Sequence, residues 1–294
     1  MLTHHNPVPG DPARVVVLGA RGFIGGALLA ALARHGIPTL SPSRAELDLA
    51  ADGGGDRLAA VLRATDSLLF LAAITPDKGR GVEPFLRNVR MGASVAAALE
   101  KVPPAHVVYF SSDGVYPLNG GPVTEGSCAQ PPDLYGMMHL ARETMIKMST
   151  KAPVAVLRPT LVYGAEDTHN SYGPNRLRRM AHAEGRIVLF GEGEEMRDHI
   201  AVDDVAALAL LVLRHRSAGT LNLATGHSIT YADLARKVAA LFDRPIAIVT
   251  APRQNPITHR HFDISALRGA FPAFAFTRLE DGLAAAHRKM LGRQ

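Results

Sequence analysis

The sequence lacks the features of disulfide-stabilised, membrane-spanning and nucleic-acid-binding proteins. Its single cysteine, Cys128, cannot form an internal disulfide, which fits a reducing compartment. Tryptophan is absent, and no basic stripe is interleaved with aromatic residues, so we expect no nucleic-acid partner. The longest apolar run, 205–213, is far shorter than the roughly 20 residues of a membrane span. Residues 1–11 lack the basic and apolar regions of a signal peptide. We therefore expect a soluble, cytoplasmic protein without a membrane partner.

The composition that remains is that of a globular protein with a sizeable core. Of the 294 residues, 47% are hydrophobic and 20% are charged, and the length suits one large α/β domain or two smaller ones. Lys and Arg number 32 against 27 Asp and Glu, and this mild basic excess suits an anionic ligand such as a nucleotide.

Short apolar runs alternate with stretches of helical composition along the first half of the chain. We predict strands at 14–18, 37–40, 68–71, 107–110 and 154–157, and helices at 27–34, 56–63, 88–101 and 135–148. This order predicts an α/β fold with a doubly wound, Rossmann-like parallel sheet covered by helices on both faces.

After Gly164 the composition changes, and residues 165–195 are rich in Gly, Arg, His and Asn. Beyond it we predict a strand at 187–190 and helices at 203–213 and 231–242. We therefore expect a dinucleotide-binding domain over 12–164 and a smaller C-terminal substrate-binding α/β domain over 165–294. In this division, 197–215 returns to pack on the first domain.

A glycine loop follows the first predicted strand and opens the first predicted helix. Its pattern G-x-x-G-x-x-G lets the backbone approach a pyrophosphate at the positive end of a helix. A tight turn without a ligand is the alternative, but the strand and helix context favours dinucleotide binding. The predicted cofactor contacts in this loop are Gly19, Arg21, Gly22, Phe23, Ile24 and Gly25.

The end of the second predicted strand bears on the choice between NAD and NADP. An acidic residue there binds the ribose 2′-hydroxyl of NAD, whereas an arginine accommodates the 2′-phosphate of NADP. The chain has no carboxylate directly at this strand end, and Ser43 and Arg44 follow it. Arg44 is either a solvated loop residue or a phosphate contact, and we favour NADP over NAD.

Several motifs after the glycine loop share their order and spacing with one family of enzymes. They are Ser111-Ser112-Asp113-Gly114-Val115-Tyr116, Tyr135-Gly136-Met137-Met138-His139, Leu157-Arg158-Pro159, Val162-Tyr163-Gly164, Arg197-Asp198-His199-Ile200 and Val202-Asp203-Asp204-Val205. With them the chain resembles the extended short-chain dehydrogenases/reductases, the NAD-dependent epimerase/dehydratase group that modifies nucleotide sugars. The resemblance implies NAD(H) or NADP(H) as cofactor, with further contacts from Asp48, Leu49, Ala72, Tyr135, His139 and Pro159.

The resemblance also implies a catalytic set of Tyr135, Ser112, His139 and Asp113. Tyr135 matches the tyrosine that moves a proton at a sugar hydroxyl, and Ser112 matches the residue that hydrogen-bonds the reacting oxygen. A strand-end cap is the alternative role for Ser112. His139 stands where the family has a lysine, and it is not a permanent cation. Asp113 is not followed by the glutamate of the sugar dehydratases, which argues against that reaction.

Arg142, seven residues after Tyr135, is a candidate for the missing charge, and an impaired site that binds its ligand without turnover is the alternative.

Substrate contacts are expected in the second half of the chain. The resemblance places Asn175, in the segment 172–177, against the nucleotide diphosphate, and Arg197 against a substrate phosphate. Arg260 is a candidate for a second phosphate contact, whereas we expect Arg178 and Arg179 on a solvated helix face. His227, His259 and His261 have no cluster of cysteines or carboxylates at ligand spacing among their neighbours, so we expect surface histidines and no metal site.

These expectations lead to a nucleoside-diphosphate-sugar epimerase that removes a hydride from a sugar carbon and returns it. An NADPH-dependent reductase of 4-keto-sugar nucleotides is the alternative, and an impaired nucleotide-sugar-binding protein is a second one. The resemblance also implies a homodimer formed through the helices at 88–101 and 135–148.

Overall fold

Strands of Val, Leu and Phe alternate with helices through the first 160 residues. The computed structural model describes residues 2–118, 121–167 and 173–292. The elements of this half are β1 (Thr3–His4), β2 (Val15–Leu18), α1 (Phe23–Arg34), β3 (Thr39–Leu40), α2 (Gly54–Val61), β4 (Ser67–Phe70), α3 (Val82–Lys101), β5 (His106–Phe110), a 3-10 turn (Asp113–Val115), α4 (Leu134–Met148) and β6 (Val154–Pro159).

The second half continues with strands of similar length and mostly shorter helices. Its elements are β7 (Leu161–Tyr163), α5 (Pro174–Glu184), β8 (Arg186–Phe190), β9 (Met196–Ala201), α6 (Val202–Arg214), β10 (Ser217–Leu223), β11 (Ser228–Thr230), α7 (Tyr231–Ala239), β12 (Ala247–Ala251), α8 (Ser265–Ala270) and α9 (Leu279–Met290). Among the described residues, no helix is both long and apolar enough to cross a bilayer.

Seven strands form the central sheet, in the order β1-β10-β6-β5-β4-β2-β3. All neighbours pair in parallel except β1, which runs antiparallel to β10 at the edge. Strands buried on both faces read as continuous apolar runs, as Val15 to Leu18 do, and helices cover both faces. The predicted Rossmann-like α/β fold is confirmed.

The order of strands reverses between β2 and β4, because the chain adds β3 on one side of β2 and β4 on the other. In open α/β sheets, ligands bind in the crevice at the carboxyl ends of the strands beside such a reversal. The fold therefore places the candidate site where β2, β4 and β5 end.

Two smaller sheets, β11-β9-β7 and β12-β8, lie in the second half with a separate apolar core. Leu177 of α5, Leu234 and Val238 of α7 and Leu283 of α9 contribute to this core. Helix α6 and strand β10 instead join the first half, since α6 packs against α1 and β10 pairs with β6. The division into domains at residue 164 stays a prediction.

The observed elements differ from the predicted ones mainly where polar residues interrupt the pattern. Helix α3 begins at Val82 rather than at residue 88, because Pro84 lies in the first turn, where a missing N–H costs no helical hydrogen bond. Strand β9 carries Arg197, Asp198 and His199, and α5 is dominated by charged and polar residues. Neither β9 nor α5 has the regular spacing of apolar residues from which the helices and strands were predicted.

Candidate active site

The glycine loop joins β2 to α1 so closely that side chains would not fit at two of its positions. Gly19 has a φ of 98°, and a Cβ there would lie 2.6 Å from the backbone nitrogen of Ala72, just after β4. A Cβ at Gly25 would overlap the carbonyl oxygen of Gly19. Gly22 caps α1 without a side-chain hydrogen bond, and the first turn carries no acidic residue. The backbone N–H groups at this helix start are therefore available to an anion.

The other predicted residues of this loop have distinct positions. The Arg21 side chain is exposed, and Ile24 packs against the core of the central sheet. The Phe23 ring lies over Gly164, where a Cβ would come within 2.9 Å of it. Ala72 and Pro159 lie at the carboxyl ends of β4 and β6, on the same edge of the sheet. The loop thus meets the end of β7 as well as the predicted cofactor crevice.

A carboxylate that the sequence analysis missed lies in the loop after β3. The backbone N–H of Ser43 donates to Glu46 Oε2 at 2.7 Å. Hydrogen bonds from the side chain and from the backbone of Ser43, together with the Arg21 charge, lower the pKa of Glu46. The S-x-x-E pattern of Ser43 to Glu46 is the sequence signal for this arrangement. Arg21 of the glycine loop therefore has a carboxylate neighbour, Glu46, close to where the adenosine ribose of the cofactor is predicted to bind.

A second pair of an arginine and a carboxylate, Arg44 and Asp48, lies in the same loop and is exposed. Arg44 Nε lies 3.1 Å from Asp48 Oδ2, with 70% of the Arg44 side chain exposed. The backbone N–H of Ala50, followed by Arg44, lowers the pKa of Asp48. Leu49 is buried in the core that contains β2 and β4. The preference for NADP that Arg44 suggested is weakened by these two carboxylates.

Ser112 and Tyr135 come together where the 3-10 turn meets the start of α4. A Cβ at Gly114 would lie 3.3 Å from Ser112 Oγ and 3.7 Å from Tyr135 Cδ1, and a Cβ at Gly136 would collide with the Gly114 carbonyl. Ser112 Oγ accepts a hydrogen bond from Gly114 N at 3.0 Å. Ser112 therefore does have the capping role that was its alternative, and its hydroxyl is half-buried beside Tyr135.

Tyr135 and His139 lie on one face of α4, as their spacing predicts. Their rings meet edge to face with centroids 4.6 Å apart. Tyr135 is half-buried, and burial raises the pKa of its phenol although the Arg142 charge opposes that effect. His139 is buried, and burial, together with Arg142, lowers the pKa of its imidazole well below the ordinary value. His139 is therefore neutral, and the charge of the family's lysine is not replaced at this position.

Two residues outside the predicted set complete this side of the site. Tyr109, at the end of β5, has its hydroxyl 2.7 Å from His139 Nδ1. Asn88 of α3 holds the segment after β4, since its amide accepts from Ile74 N at 2.8 Å and donates to Ile74 O at 2.9 Å. Both residues are buried, and from the sequence they read as ordinary members of a strand and a helix.

A buried ion pair fixes α4 to the sheet. Arg158 of β6 donates to both oxygens of Glu143, at 2.9 and 2.6 Å, and Ser111 Oγ donates to Glu143 Oε1 at 2.6 Å. Arg158 also donates to the Tyr116 hydroxyl at 2.7 Å. Because the partners of Glu143 lie on β6 and just after β5, they orient the helix that carries Tyr135.

Asp113 and Arg260 bind each other rather than facing an open site. Arg260 NH1 lies 2.9 Å from Asp113 Oδ2, and its other N–H groups donate to the carbonyls of Asp113, Tyr116 and Pro117. Arg260 is buried and anchors the 3-10 turn. The catalytic role of Asp113 and the phosphate contact of Arg260 stay predictions that this pairing does not favour.

Asn175 lies in the first turn of α5, at the end of β7. Its Oδ1 accepts from Gly164 N at 3.1 Å, and its Nδ2 donates to Asp167 Oδ2 at 2.6 Å. Tyr172, at the start of the predicted segment, lies outside the described residues. The amide of Asn175 is thus bound at both ends within the protein.

Arg178 corrects the expectation of a solvated helix face. Its side chain is fully buried, and NH2 donates to the Gly164 carbonyl at 3.2 Å. Burial lowers the pKa of this guanidinium to about 10. The sequence pattern failed here because α5 packs against β8 and α7 and bonds to Gly164 just after β7, so one of its basic positions faces the interior.

Arg197 is half-buried and held by the segment before Arg260. Its NH1 donates to the carbonyls of Met196 and Thr258, and its NH2 donates to Thr258 Oγ1 at 2.8 Å. The next residue, Asp198, is buried and accepts hydrogen bonds from Thr225 and His227. These bonds set the position of Arg197 at the start of β9.

Within the described part of the chain, no three His, Cys, Asp or Glu side chains form a metal-ligand set.

Comparison with known proteins identifies the family. The model of the NAD-dependent epimerase/dehydratase family matches residues 15–224 of the 294. The chain belongs to this family. The predicted family and the predicted class of cofactor, a nicotinamide dinucleotide, are confirmed, and the glycine cradle at Gly19 and Gly25 fits such a group.

Three individual proteins show what this chain is similar to. A dTDP-L-rhamnose 4-epimerase from Burkholderia thailandensis is 31% identical over 145 residues, 46% of this chain, and the match spans only 40% of that relative's length. The structure of MoeE5 in complex with UDP-glucose and NAD is 25% identical with a TM-score of 0.76, over 96% of this chain and 100% of that one. A GDP-L-fucose synthetase from Naegleria fowleri bound to NADP is 16% identical with a TM-score of 0.85, over 99% and 98%. This last likeness shows the shared fold alone.

Proposed function

We propose that the protein is a nucleoside-diphosphate-sugar epimerase that uses a bound nicotinamide dinucleotide. The observation that carries the proposal is that Ser112 and Tyr135 both border Gly114, at the same carboxyl edge of the sheet as the glycine cradle. The dinucleotide, when bound, supplies hydride acceptance and donation at the reacting sugar carbon. A relative named as a 4-epimerase and the MoeE5 complex with UDP-glucose and NAD support the choice of a nucleotide sugar.

The residues of the chain would act on the sugar hydroxyl. Ser112 Oγ accepts from Gly114 N at 3.0 Å and donates to Asp113 Oδ1 at 3.4 Å, and it would redirect its proton from that long hydrogen bond to the sugar hydroxyl oxygen. Tyr135 removes the hydroxyl proton as the carbon loses its hydride, and it returns the proton when the hydride is delivered to the other face. The negative charge that develops on the reacting oxygen is stabilised by these two hydroxyl groups.

Arg197 is the proposed contact to a substrate phosphate, and Asn175 is proposed to shape the same region of the site. The Nε of Arg197 makes no hydrogen bond with the described residues, and it remains available to a phosphate oxygen. Asn175 would act mainly by holding Gly164 and the start of α5 in place. The site would thus bind the sugar between the two halves of the chain.

A reductase of keto-sugar nucleotides is the second candidate. Burial keeps the pKa of Tyr135 above its ordinary value, so the phenol is protonated at neutral pH and ready to donate to a ketone. An epimerase must first take a proton from a hydroxyl, for which a raised pKa is less suited.

One experiment separates these candidates. The purified protein is incubated with NAD(H) or NADP(H) and a panel of nucleoside-diphosphate hexoses and 4-keto-hexoses, and proton NMR and nicotinamide absorbance are followed together. Conversion of a hexose to its epimer without net loss of reduced cofactor supports the epimerase. Stoichiometric oxidation of NADPH by a keto-sugar would instead establish the reductase, and cofactor binding without turnover would establish the impaired binding protein.

A homodimer through α3 and α4 is also part of the proposal. These helices pack on each other, and their outer surfaces leave Leu86, Met137 and Met148 between 47% and 82% exposed. Exposed methionines are typical of interfaces. Light scattering after size-exclusion chromatography should give a dimer that Met137→Glu converts to a monomer. A wild-type monomer at micromolar concentration would contradict it.

A further inference from the structure

A buried arginine lies one helical turn after His139. Arg142 is 1% exposed, and its guanidinium donates from Nε to the Asn88 carbonyl at 2.8 Å, from NH1 to the Ala72 carbonyl at 2.9 Å and from NH2 to Asn88 Oδ1 at 3.2 Å. No carboxylate of the described residues forms an ion pair or hydrogen bond with it. Its positive charge is therefore held in place by neutral groups and is not cancelled locally.

The packing around Arg142 is specific to this side chain. A Cβ on Gly92 of α3 would lie 2.7 Å from Arg142 Cγ, so only glycine leaves room for the arginine stem. The guanidinium carbon lies 4.9 Å from the centre of the Phe70 ring, at the end of β4. The segment that holds Arg142 also borders Gly19 of the cofactor cradle through Ala72.

Tyr109 and His139 form a neutral link beside this charge. Burial raises the pKa of Tyr109, with Arg142 opposing, and it lowers the pKa of His139, so both rings are uncharged at neutral pH. We assign the Tyr109 hydroxyl as the donor to His139 Nδ1, which places the imidazole proton on Nε2. His139 Nε2 is buried and makes no hydrogen bond with the described residues.

We propose that Arg142 is the fixed positive charge of this active site and that Tyr109 and His139 form the neutral link between it and Tyr135. Arg142 would thereby supply the electrostatic effect for which the family uses a lysine at the position of His139. The inference rests on the proposed role of Tyr135 as the acid/base, and it makes Arg142 a positioning residue.

The other charged groups near Tyr135 act against Arg142. They are carboxylates from three segments around the phenol, and each raises the pKa of Tyr135: Asp113, Asp133 and Asp77. The Arg142 charge favours the phenolate and opposes these three carboxylates. Its removal should therefore shift the ionisation of Tyr135 to higher pH.

A charge swap tests this proposal. Arg142→Met should lower kcat by about ten-fold or more. It should also move the ascending limb of the pH–rate profile, which follows ionisation of Tyr135 to the proton-accepting phenolate, to higher pH by about one unit. His139→Lys alone places two cations in one buried site and should lower the thermal stability. Combined with Arg142→Met, it should restore both the rate and the pH profile. An Arg142→Met enzyme with the wild-type profile, or a double variant no better than Arg142→Met, would overturn the proposal.

A second variant covers the case in which Arg142→Met does not fold. Gly92→Ala keeps the charge but displaces the arginine stem, and it should shift the pH–rate profile in the same direction. Gly269→Ala is the matched control, because a Cβ there meets nothing within 4 Å. An unchanged profile in Gly92→Ala, with cofactor affinity retained, counts against Arg142.

Nitrogen NMR of the histidine rings tests the link without turnover. In the wild type, Nδ1 of His139 should be unprotonated and Nε2 protonated, and Tyr109→Phe should mix the two tautomers. A protonated Nδ1 in the wild type would contradict the link. Retained activity in Tyr135→Phe would instead refute the proposed function, so the two failures are distinguishable.

Discussion

Gly25 shows at the scale of one residue how closely the backbone is packed where a dinucleotide would bind. It lies on the first turn of α1, and a methyl group there would overlap the Gly19 carbonyl. The loop could accept the methyl group only by moving away from the helix. The phosphate-binding N–H groups would then lose their alignment.

We expect Gly25→Ala to weaken NAD(H) or NADP(H) binding by about ten-fold or more, or about 1.4 kcal/mol. The neighbouring Gly26→Ala is the control, because a Cβ at Gly26 meets nothing within 4 Å. Isothermal titration calorimetry on both variants measures the difference. Equal affinities would show that the loop does not hold the pyrophosphate.

At the scale of single residues, the sequence predicted which side chains meet. It did not predict how deeply they are buried or which groups they bond. The spacing of Tyr135 and His139 correctly indicated a shared helix face. It could not indicate that His139 is buried against Tyr109, because that contact joins α4 to β5 across the fold. For the same reason Arg260 read as a free cation, whereas its partner Asp113 lies 147 residues away.

At the scale of elements, the loop after β3 carries both signs of charge. Arg21 and Arg44 favour a phosphate there, while Glu46 and Asp48 oppose it. Glu46 follows β3 by six residues, and its turn back to Ser43 brings the carboxylate near the strand end. The choice between NAD and NADP depends on this balance of charges.

We expect Glu46→Gln to change the ratio of the NADH and NADPH dissociation constants by about five-fold in favour of NADPH. The change removes a negative charge beside Arg21 without shortening the side chain. Asp52→Asn, at an exposed position near the start of α2, is the control. Fluorescence titration with NADH and NADPH gives both constants, and an unchanged ratio would place the 2′-phosphate elsewhere.

The elements of the first half could be predicted because their strands are buried on both faces and read as apolar runs. Helix α5 could not, since its inward positions include Asn175 and Arg178, which bond to the backbone of Gly164. A buried polar contact of this kind leaves no apolar period in the sequence.

At the scale of the whole molecule, buried histidines link folding to pH. Burial lowers the pKa of His106 to about 4 and that of His199 to about 3, and the pKa of His139 is also lowered. The unfolded chain binds protons at these residues near pH 6.5, whereas the folded chain does not, so stability is lost as the pH falls below that value. Asp198 and Asp204 work in the opposite direction, because their pKa values are raised in the folded chain.

We expect the free energy of unfolding to be about 2–4 kcal/mol lower at pH 5.5 than at pH 7.5, since each histidine contributes up to about 1.4 kcal/mol. Urea titrations at the two pH values measure it. His106→Gln should reduce the difference by about 1 kcal/mol, while the exposed His35→Gln should not. A stability independent of pH over this range would mean that these histidines are not buried in solution.

The account as a whole depends on Tyr135 as the group that moves the proton. The most direct measurement is the rate of single-turnover hydride transfer, followed by stopped-flow absorbance of the nicotinamide, in the Tyr135→Phe variant. The control is Tyr163→Phe, which changes a buried tyrosine in the core of the second half. The account predicts that Tyr135→Phe slows hydride transfer by about 100-fold or more while cofactor affinity stays within a few-fold, and that Tyr163→Phe transfers at the wild-type rate. Hydride transfer at the wild-type rate in Tyr135→Phe would contradict it.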